Sequence, residues 1–296
     1  MDAPEPPPST SPEEISARVL ESFERCESPR LRELMQALVR HLHAFATEVR
    51  LTPAEWEHAI ATLTATGHIT SGERQEFILW SDTLGLSMLV DALSNQLPPG
   101  ATESTVLGPF HVDESRPRTY GESLAEQPAG VPAWFSGRVL ALDGSPIAGA
   151  RLDVWQNAEN MLYAVQDPGA PEQHLRGVFT TRDDGSYAFL AVRPTDYTIP
   201  DDGPVGTMLH ATGRHPWRPA HLHVIASAPG FRSVTTHVFD GASERLGSDA
   251  VFAVKPSLVR PFVRHPADDP ATPPGVDGEW WSCETDIVLA PADAPG

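Results

Sequence analysis

Apolar positions along this chain follow two different periods. Leu31, Leu34, Leu38 and Leu42 recur three and four residues apart, the spacing of one face of an α-helix. Helix-start signals surround them. Ser11-Pro12-Glu13-Glu14 places a capping serine, a proline at the first helical position and a glutamate one turn on, and Ser28-Pro29 and Thr52-Pro53-Ala54-Glu55 repeat the device. A fourth helix is expected from about Glu73 to Leu93, starting near Ser71. Four short-looped helices make a small helical unit that needs something further to pack on.

From about Pro98 the pattern changes to short β-prone runs punctuated by turn residues. Phe135–Leu142, Asp143-Gly144 and Ala150–Gln156 read as a hairpin, as do Gly177–Arg182, Asp183-Asp184-Gly185 and Tyr187–Val192. Two more strands flank Pro229-Gly230, and Thr285–Leu289 forms a late one. Strands at this spacing suggest an antiparallel sandwich or barrel. The expected fold class is α+β, a helical N-terminal domain followed by an antiparallel β-sandwich. The boundaries read as a disordered tail at 1–10, a helical domain at 11–97, a linker at 98–131 and the sandwich at 132–296.

Composition narrows the classes. The 296 residues suffice for a sizeable core, and 40% hydrophobic with 21% charged residues is ordinary globular usage. A net charge of −19 argues against nucleic acid or an anionic membrane as partner. No run approaches the roughly 20 apolar residues of a membrane helix, and the acidic, proline-rich start lacks the features of a secretory signal. Cys26 and Cys283 are far apart and too few for a disulfide framework or a thiolate metal site. A reduced, cytoplasmic setting is expected.

The candidate chemistry lies in histidine and tyrosine. His41 and His43 fall in a predicted helix, where residues two apart point about 200° from one another and cannot converge on an ion. His221 and His223 fall in a predicted strand, where residues two apart share a face. Two core histidines with internal hydrogen bonds are the competing reading. Among the four tyrosines, Tyr197 sits on a loop between Pro194 and Pro200, and Tyr163 follows the Leu152–Trp155 strand. Tyr120, in the linker, and Tyr187, in a hairpin strand, read as structural. Taken one at a time, Tyr163 and Tyr197 are also accounted for by packing. Phenolate with imidazole is a donor set suited to trivalent iron better than to zinc or copper(I).

These segments taken in order resemble the intradiol ring-cleaving dioxygenases. Leu152-Asp153-Val154-Trp155-Gln156-Asn157 is followed by Tyr163, then Leu175-Arg176-Gly177, Asp184-Gly185, Pro194–Tyr197–Pro200, Asp202-Gly203-Pro204, Gly213-Arg214-His215 and Arg218-Pro219-Ala220-His221-Leu222-His223. Ser81–Gly85 and Thr102–Phe110 resemble the N-terminal half of the catechol-type subgroup. Gln156, Val165-Gln166 and His215-Pro216-Trp217-Arg218 bring the similarity nearest to the members that cleave hydroxyquinol.

The resemblance implies one Fe(III) per chain held by Tyr163, Tyr197, His221 and His223. Tyr197 would act as the base that leaves the metal, and Arg218 would stabilise negative charge on the ring. Leu79, Asp82, Val106, Leu107, Pro109, Arg218, His237 and Phe252 would contact substrate, with the 98–131 linker contributing to the pocket. His237 stands where plain catechol enzymes carry glutamine; a merely polar strand position is its alternative, as a salt bridge is for Arg218 and a helix cap for Asp82. The implied reaction is cleavage of hydroxyquinol (1,2,4-trihydroxybenzene) by O2 to 3-hydroxy-cis,cis-muconate or maleylacetate. Catechol or chlorocatechol is the alternative substrate. A non-catalytic sandwich module with structural or zinc-bound histidines is the distant rival. The family also implies a homodimer joined through the helical domains, often with a phospholipid in the interface.

Overall fold

The computed structural model describes residues 11–72 and 74–292, so the expected 1–10 tail lies outside the described residues. Contacts divide the chain into two compact units, one up to Ala65 and one from Thr66 onward.

The first unit holds α1 (Pro12–Ser22), α2 (Pro29–Glu48) and most of α3 (Pro53–Ile69). The predicted caps form: Ser11 and Ser28 accept from the backbone N–H of Glu14 and Leu31, and the Glu55 carboxylate accepts from the Thr52 N–H while Thr52 Oγ1 accepts in return. Ser16 Oγ meets His43 Nδ1 at 2.8 Å, so this histidine joins α1 to α2.

The second unit opens with α4 (Glu76–Thr83) and α5 (Leu86–Ser94). The single helix expected from 73 to 93 is thus broken. Leu84 ends α4, and Gly85 turns the chain at φ 74°, a left-handed conformation glycine adopts without strain. Ser71 caps the Arg74 turn before the helix.

Twelve strands follow among the described residues: β1 (Pro132–Ala141), β2 (Arg151–Trp155), β3 (Arg176–Thr180), β4 (Ser186–Val192), β5 (Tyr197–Thr198), then α6 (Pro204–Ala211), β6 (Trp217–Arg218), β7 (His221–Ser227), β8 (Val234–Asp240), β9 (Val259–Arg260), β10 (Val263–His265), β11 (Trp280–Glu284) and β12 (Ile287–Leu289). One sheet runs β10-β11-β1-β12, with β4 also on β1, and the other runs β3-β2-β7-β8-β9. Phe135, Val139 and Phe189 of the first pack against Leu152, Phe179, Leu222 and Val224 of the second.

Neither predicted hairpin forms. β1 and β2 lie in different sheets, as do β3 and β4. Each turn closes locally, Ala141 N–H onto Ser145 O and Arg182 N–H onto Ser186 O, and the chain then crosses the core. The sandwich is mixed, since β1 pairs in parallel with β11 and β12, and β8 with β9. Gly137 sits where β1 changes partner between those two strands. A Cβ there would collide with the Thr285 carbonyl, which also accepts from the Tyr187 hydroxyl at 2.7 Å. The β7–β8 pair flanking Pro229-Gly230 forms as expected. Among the described residues no single helix is long and apolar enough to cross a membrane.

Candidate metal centre

Strand alternation turns Leu222 and Val224 of β7 into the core and His221 and His223 to the opposite face. Register then aligns Arg176, Trp155, His223 and His237 as one row across β3, β2, β7 and β8. The Trp155 indole stacks on His223 at 4.7 Å and 13°. Tyr197 reaches the site from β5, which pairs with β6, so the expected loop position is corrected to a short strand. Asn157 donates to the Thr195 carbonyl, and Asp196 accepts from the Ala220 N–H. The Tyr197 backbone is thus tied on its N-terminal side. Tyr163 precedes a single 3₁₀ turn and stacks on Phe110 at 4.5 Å.

Five side chains converge. His221 Nε2 and His223 Nε2 are 3.1 Å apart, the Tyr163 hydroxyl is 3.1 Å from His223 Nε2, and Arg218 Nη1 lies 3.2 Å from the Tyr197 hydroxyl and 3.3 Å from His221 Nε2. All five residues are buried.

The outward nitrogens are already engaged. His221 Nδ1 donates to the Pro219 carbonyl at 2.7 Å, which leaves its Nε2 a lone pair. His223 Nδ1 faces His237 Nε2 at 2.8 Å, and His237 Nδ1 faces Thr105 Oγ1 at 3.1 Å. With His223 Nδ1–H donating to His237, both Nε2 lone pairs point at one spot between two phenols. The Tyr163 hydroxyl and Arg218 Nη1 are donors within reach of those lone pairs, and a cation placed there would bind both nitrogens. The donors within 4.8 Å of one another on His221, His223 and His237 make a group able to hold a metal ion. His237 meets the far side of the His223 ring, so its place is behind a ligand.

Burial favours the neutral imidazoles a metal needs, holding His221, His223 and His237 far below the usual histidine range, and the Arg218 charge adds to this. Burial, with Tyr197 beside it, pushes the Tyr163 phenol far up in the metal-free state. Arg218 is opposed by its own burial, yet Asp249 and the tyrosines outweigh that and keep it protonated. Its Nε meets Asp249 Oδ1 at 3.1 Å, so the salt bridge of its alternative reading forms, and Nη1 of the same guanidinium lies beside Tyr197 and His221.

The other expected residues occupy the surroundings. Leu79 and Val106 pack with Ile199 and Phe239. Asp82 is buried on α4 within the field of Arg218 and Asp249, and burial pushes its carboxyl up. Gly108 lies against His223, where a Cβ would approach the ring carbon Cε1 at 3.1 Å, and φ 76° excludes most other residues. Pro109 joins it to Phe110, while Leu107 and Phe252 are about half exposed. Phe252 lies beside Gly85 at the α4–α5 corner. His41 and His43 lie on α2, within the first unit.

Sequence reasoning did not single out Asp249, Gly108, Thr105 or Phe110. A buried arginine demands a carboxylate, but nothing in the pattern says which. The stack of Trp155 on His223 depends on the pairing of β2 with β7, which strand alternation alone does not give.

Residues 28–102 match the family description "Catechol dioxygenase N terminus", and residues 108–278 match "Dioxygenase". The hydroxyquinol 1,2-dioxygenase of Nocardioides simplex is 50% identical over 285 residues, covering 95% of this chain and 96% of that protein. The crystal structure of hydroxyquinol 1,2-dioxygenase from Pseudomonas putida DLL-E4 superposes with a TM-score of 0.88 at 47% identity, over 95% of this chain and 98% of that one. Catechol 1,2-dioxygenase from Pseudomonas arvilla C-1 superposes with 0.84 at 26% identity, over 95% and 93%. The chain belongs to the intradiol ring-cleavage dioxygenase family.

Proposed function

We propose that this chain is a hydroxyquinol 1,2-dioxygenase holding one Fe(III) through Tyr163, Tyr197, His221 and His223. The observation that carries the reading is the meeting of two phenols and two imidazole Nε2 atoms beside a buried, protonated Arg218. Iron held by these four residues would supply Lewis acidity, making an electron-rich aromatic substrate reactive toward O2. Tyr197 takes a substrate proton at its phenolic oxygen, and Arg218 Nη1, 3.2 Å away, stabilises that oxygen while it is anionic. Asp249 holds the guanidinium in place, and His237 fixes the tautomer and plane of His223. Leu79, Val106 and Pro109 flank the ring, Leu107 and Phe252 close the rim, and Asp82 accepts from the third hydroxyl, favouring hydroxyquinol over catechol. The product is 3-hydroxy-cis,cis-muconate, the tautomer of maleylacetate.

The test is oxygen uptake by iron-loaded protein against hydroxyquinol, catechol and chlorocatechols, with the visible tyrosinate-to-iron band recorded in parallel. Faster cleavage of catechol than of hydroxyquinol would overturn the substrate; a colourless, inactive protein with iron present would overturn the reaction.

The same reading includes a homodimer through the helical domain with a phospholipid in the interface. Leu31, Leu34, Leu38, Leu42, Phe45 and Val49 form a half-exposed apolar stripe on α2, more than a lone surface helix ordinarily leaves in water. Pro12, Leu20 and Val39 line a cavity of about 450 Å³ between α1 and α2. Sedimentation and native mass spectrometry test both points, and a lipid-free monomer at micromolar concentration would reject them.

A further inference from the structure

α4 carries Leu79 and Asp82, so its position decides where the substrate pocket places a carboxylate. Its start is anchored twice. The buried Glu76 accepts from the Val205 N–H of α6 at 3.0 Å, and Arg74 pairs with Asp202 at 2.7 Å just before α6. Its end is held differently. The Thr83 carbonyl is one of the terminal acceptors that a helix leaves without an internal partner, and Arg214 Nη1 donates to it at 2.6 Å. Arg214 Nη2 donates to the Ala250 carbonyl at 2.9 Å, and the guanidinium lies 5.0 Å from the Phe252 ring.

The loop it grips is the one that holds Arg218. Asp249 pairs with Arg218 and accepts from the N–H groups of Val251 and Ala253, so the backbone on either side of Ala250 is fixed to the arginine beside the ligands. Arg214 itself is placed by the end of α6. Gly213, at φ 70°, turns the chain, and the Arg214 N–H donates to the Leu209 carbonyl at 2.8 Å. A cavity of about 480 Å³ opens beside Arg214, Asp249 and Phe252.

We propose that Arg214 is a specificity-positioning residue that clamps the C-terminal end of α4 to the 249–253 loop and so sets the placement of Asp82 relative to Arg218. It touches neither substrate nor metal; it acts through the helix it holds. Its planar fork reaches two carbonyls at once, which a lysine ammonium on one stem does not reproduce. The inference rests on the reading of Asp82 as the acceptor of the third hydroxyl.

The experiment compares iron-loaded wild type, Arg214→Lys and Arg214→Ala, recording kcat and KM for hydroxyquinol and catechol, the tyrosinate-to-iron band and the melting temperature. Small misplacements of a positioning group produce large kinetic effects, so Arg214→Ala is expected to raise KM for hydroxyquinol about tenfold while catechol KM moves less than about threefold. The band stays in place, and Arg214→Lys falls between. Equal changes on both substrates, or an unchanged ratio in a folded Arg214→Lys protein, overturn the proposal. So does loss of the band, which would assign the clamp to the metal. A wild type that prefers catechol rejects the substrate reading instead; the clamp then stands or falls on whether Arg214→Ala shifts the wild-type substrate ratio.

Discussion

The two sides of the site are built by different means. The proposed ligand side is founded on sheet, with Tyr163 and Tyr197 brought to it from outside the main ladder. His221, His223, His237 and Trp155 take their directions from alternation and register within one hydrogen-bonded ladder, and the ring contacts among them follow. The proposed substrate side is assembled from α4, the 105–110 segment and the 249–254 loop, joined by single contacts such as Arg214 to Thr83 and Asp249 to Arg218. A ladder fixes many side chains at once, whereas a clamp fixes one joint. Changes on the first side are expected to cost the reaction, and changes on the second to redirect it.

The largest effect should come from the proposed ligand side. Tyr163→Phe and His223→Ala each remove a donor from the convergent set and are expected to abolish both oxygen uptake and the visible band. Stripping the wild-type protein with a chelator should do the same reversibly, with colour and activity returning together on adding iron. A Tyr163→Phe protein that kept full colour and rate would take Tyr163 out of the ligand set.

Next is Asp249, where the two sides meet. Asp249→Ala leaves a buried guanidinium without its anion, and removing one partner of a buried pair costs about 3–5 kcal/mol. Chemical denaturation should show that loss, accompanied by a fall in kcat on every substrate because Arg218 loses its orientation. A stability change below about 1 kcal/mol would mean that the pair is far better solvated than its burial indicates.

His237 tests how far the ladder reaches. It stands one residue behind His223, and partners of that kind are worth about 10–100-fold in metal affinity or activity. His237→Ala should fall in that range by iron titration, and His237→Gln should recover most of it, since an amide oxygen can accept from His223 Nδ1. An alanine variant with wild-type affinity would make His237 an ordinary strand residue.

This contrast also explains what could be read in advance. Helix caps are local, so Ser11, Ser28 and Thr52 were legible from four-residue windows. The facing of His221 and His223 was legible because alternation needs no knowledge of the partner strand. Strand pairing was not. The turns after Ala141 and Arg182 have the same residues and local hydrogen bonds as hairpin turns, and only the distant edge that each next strand joins makes them crossings. Gly85 could have signalled the break between α4 and α5, but an apolar period continuing on both sides masked it. Asp249 lies 31 residues from Arg218, and no periodicity connects them. The order of motifs pointed to the proposed ligand set, while the joints proposed to set substrate preference came from tertiary structure.

Asp82 is the sharpest test of the substrate side, because its two roles predict opposite signs. Burial raises the Asp82 carboxyl above its ordinary value, against the smaller stabilising effects of Ser87 and Arg218. A carboxyl whose folded pKa exceeds its unfolded one binds more protons when folded. Stability therefore falls as pH rises from the unfolded value through the folded one, and the full penalty is present above the folded value. Asp82→Asn removes that penalty, so the variant should be more stable than wild type at neutral pH. The advantage should shrink as pH falls through the raised value and vanish below about pH 3.9, the ordinary aspartate value. The same substitution should lower the hydroxyquinol-to-catechol ratio of kcat/KM by about tenfold, the scale of one hydrogen bond to a charged group. Asp82→Ala should lower the ratio at least as far. Stability gained together with selectivity lost marks a carboxylate retained for its ligand at the expense of the fold. If Asp82 were only a partner for Ser87, Asp82→Asn would instead lose stability and leave the ratio unchanged, and denaturation curves at two pH values beside one competition assay separate the two.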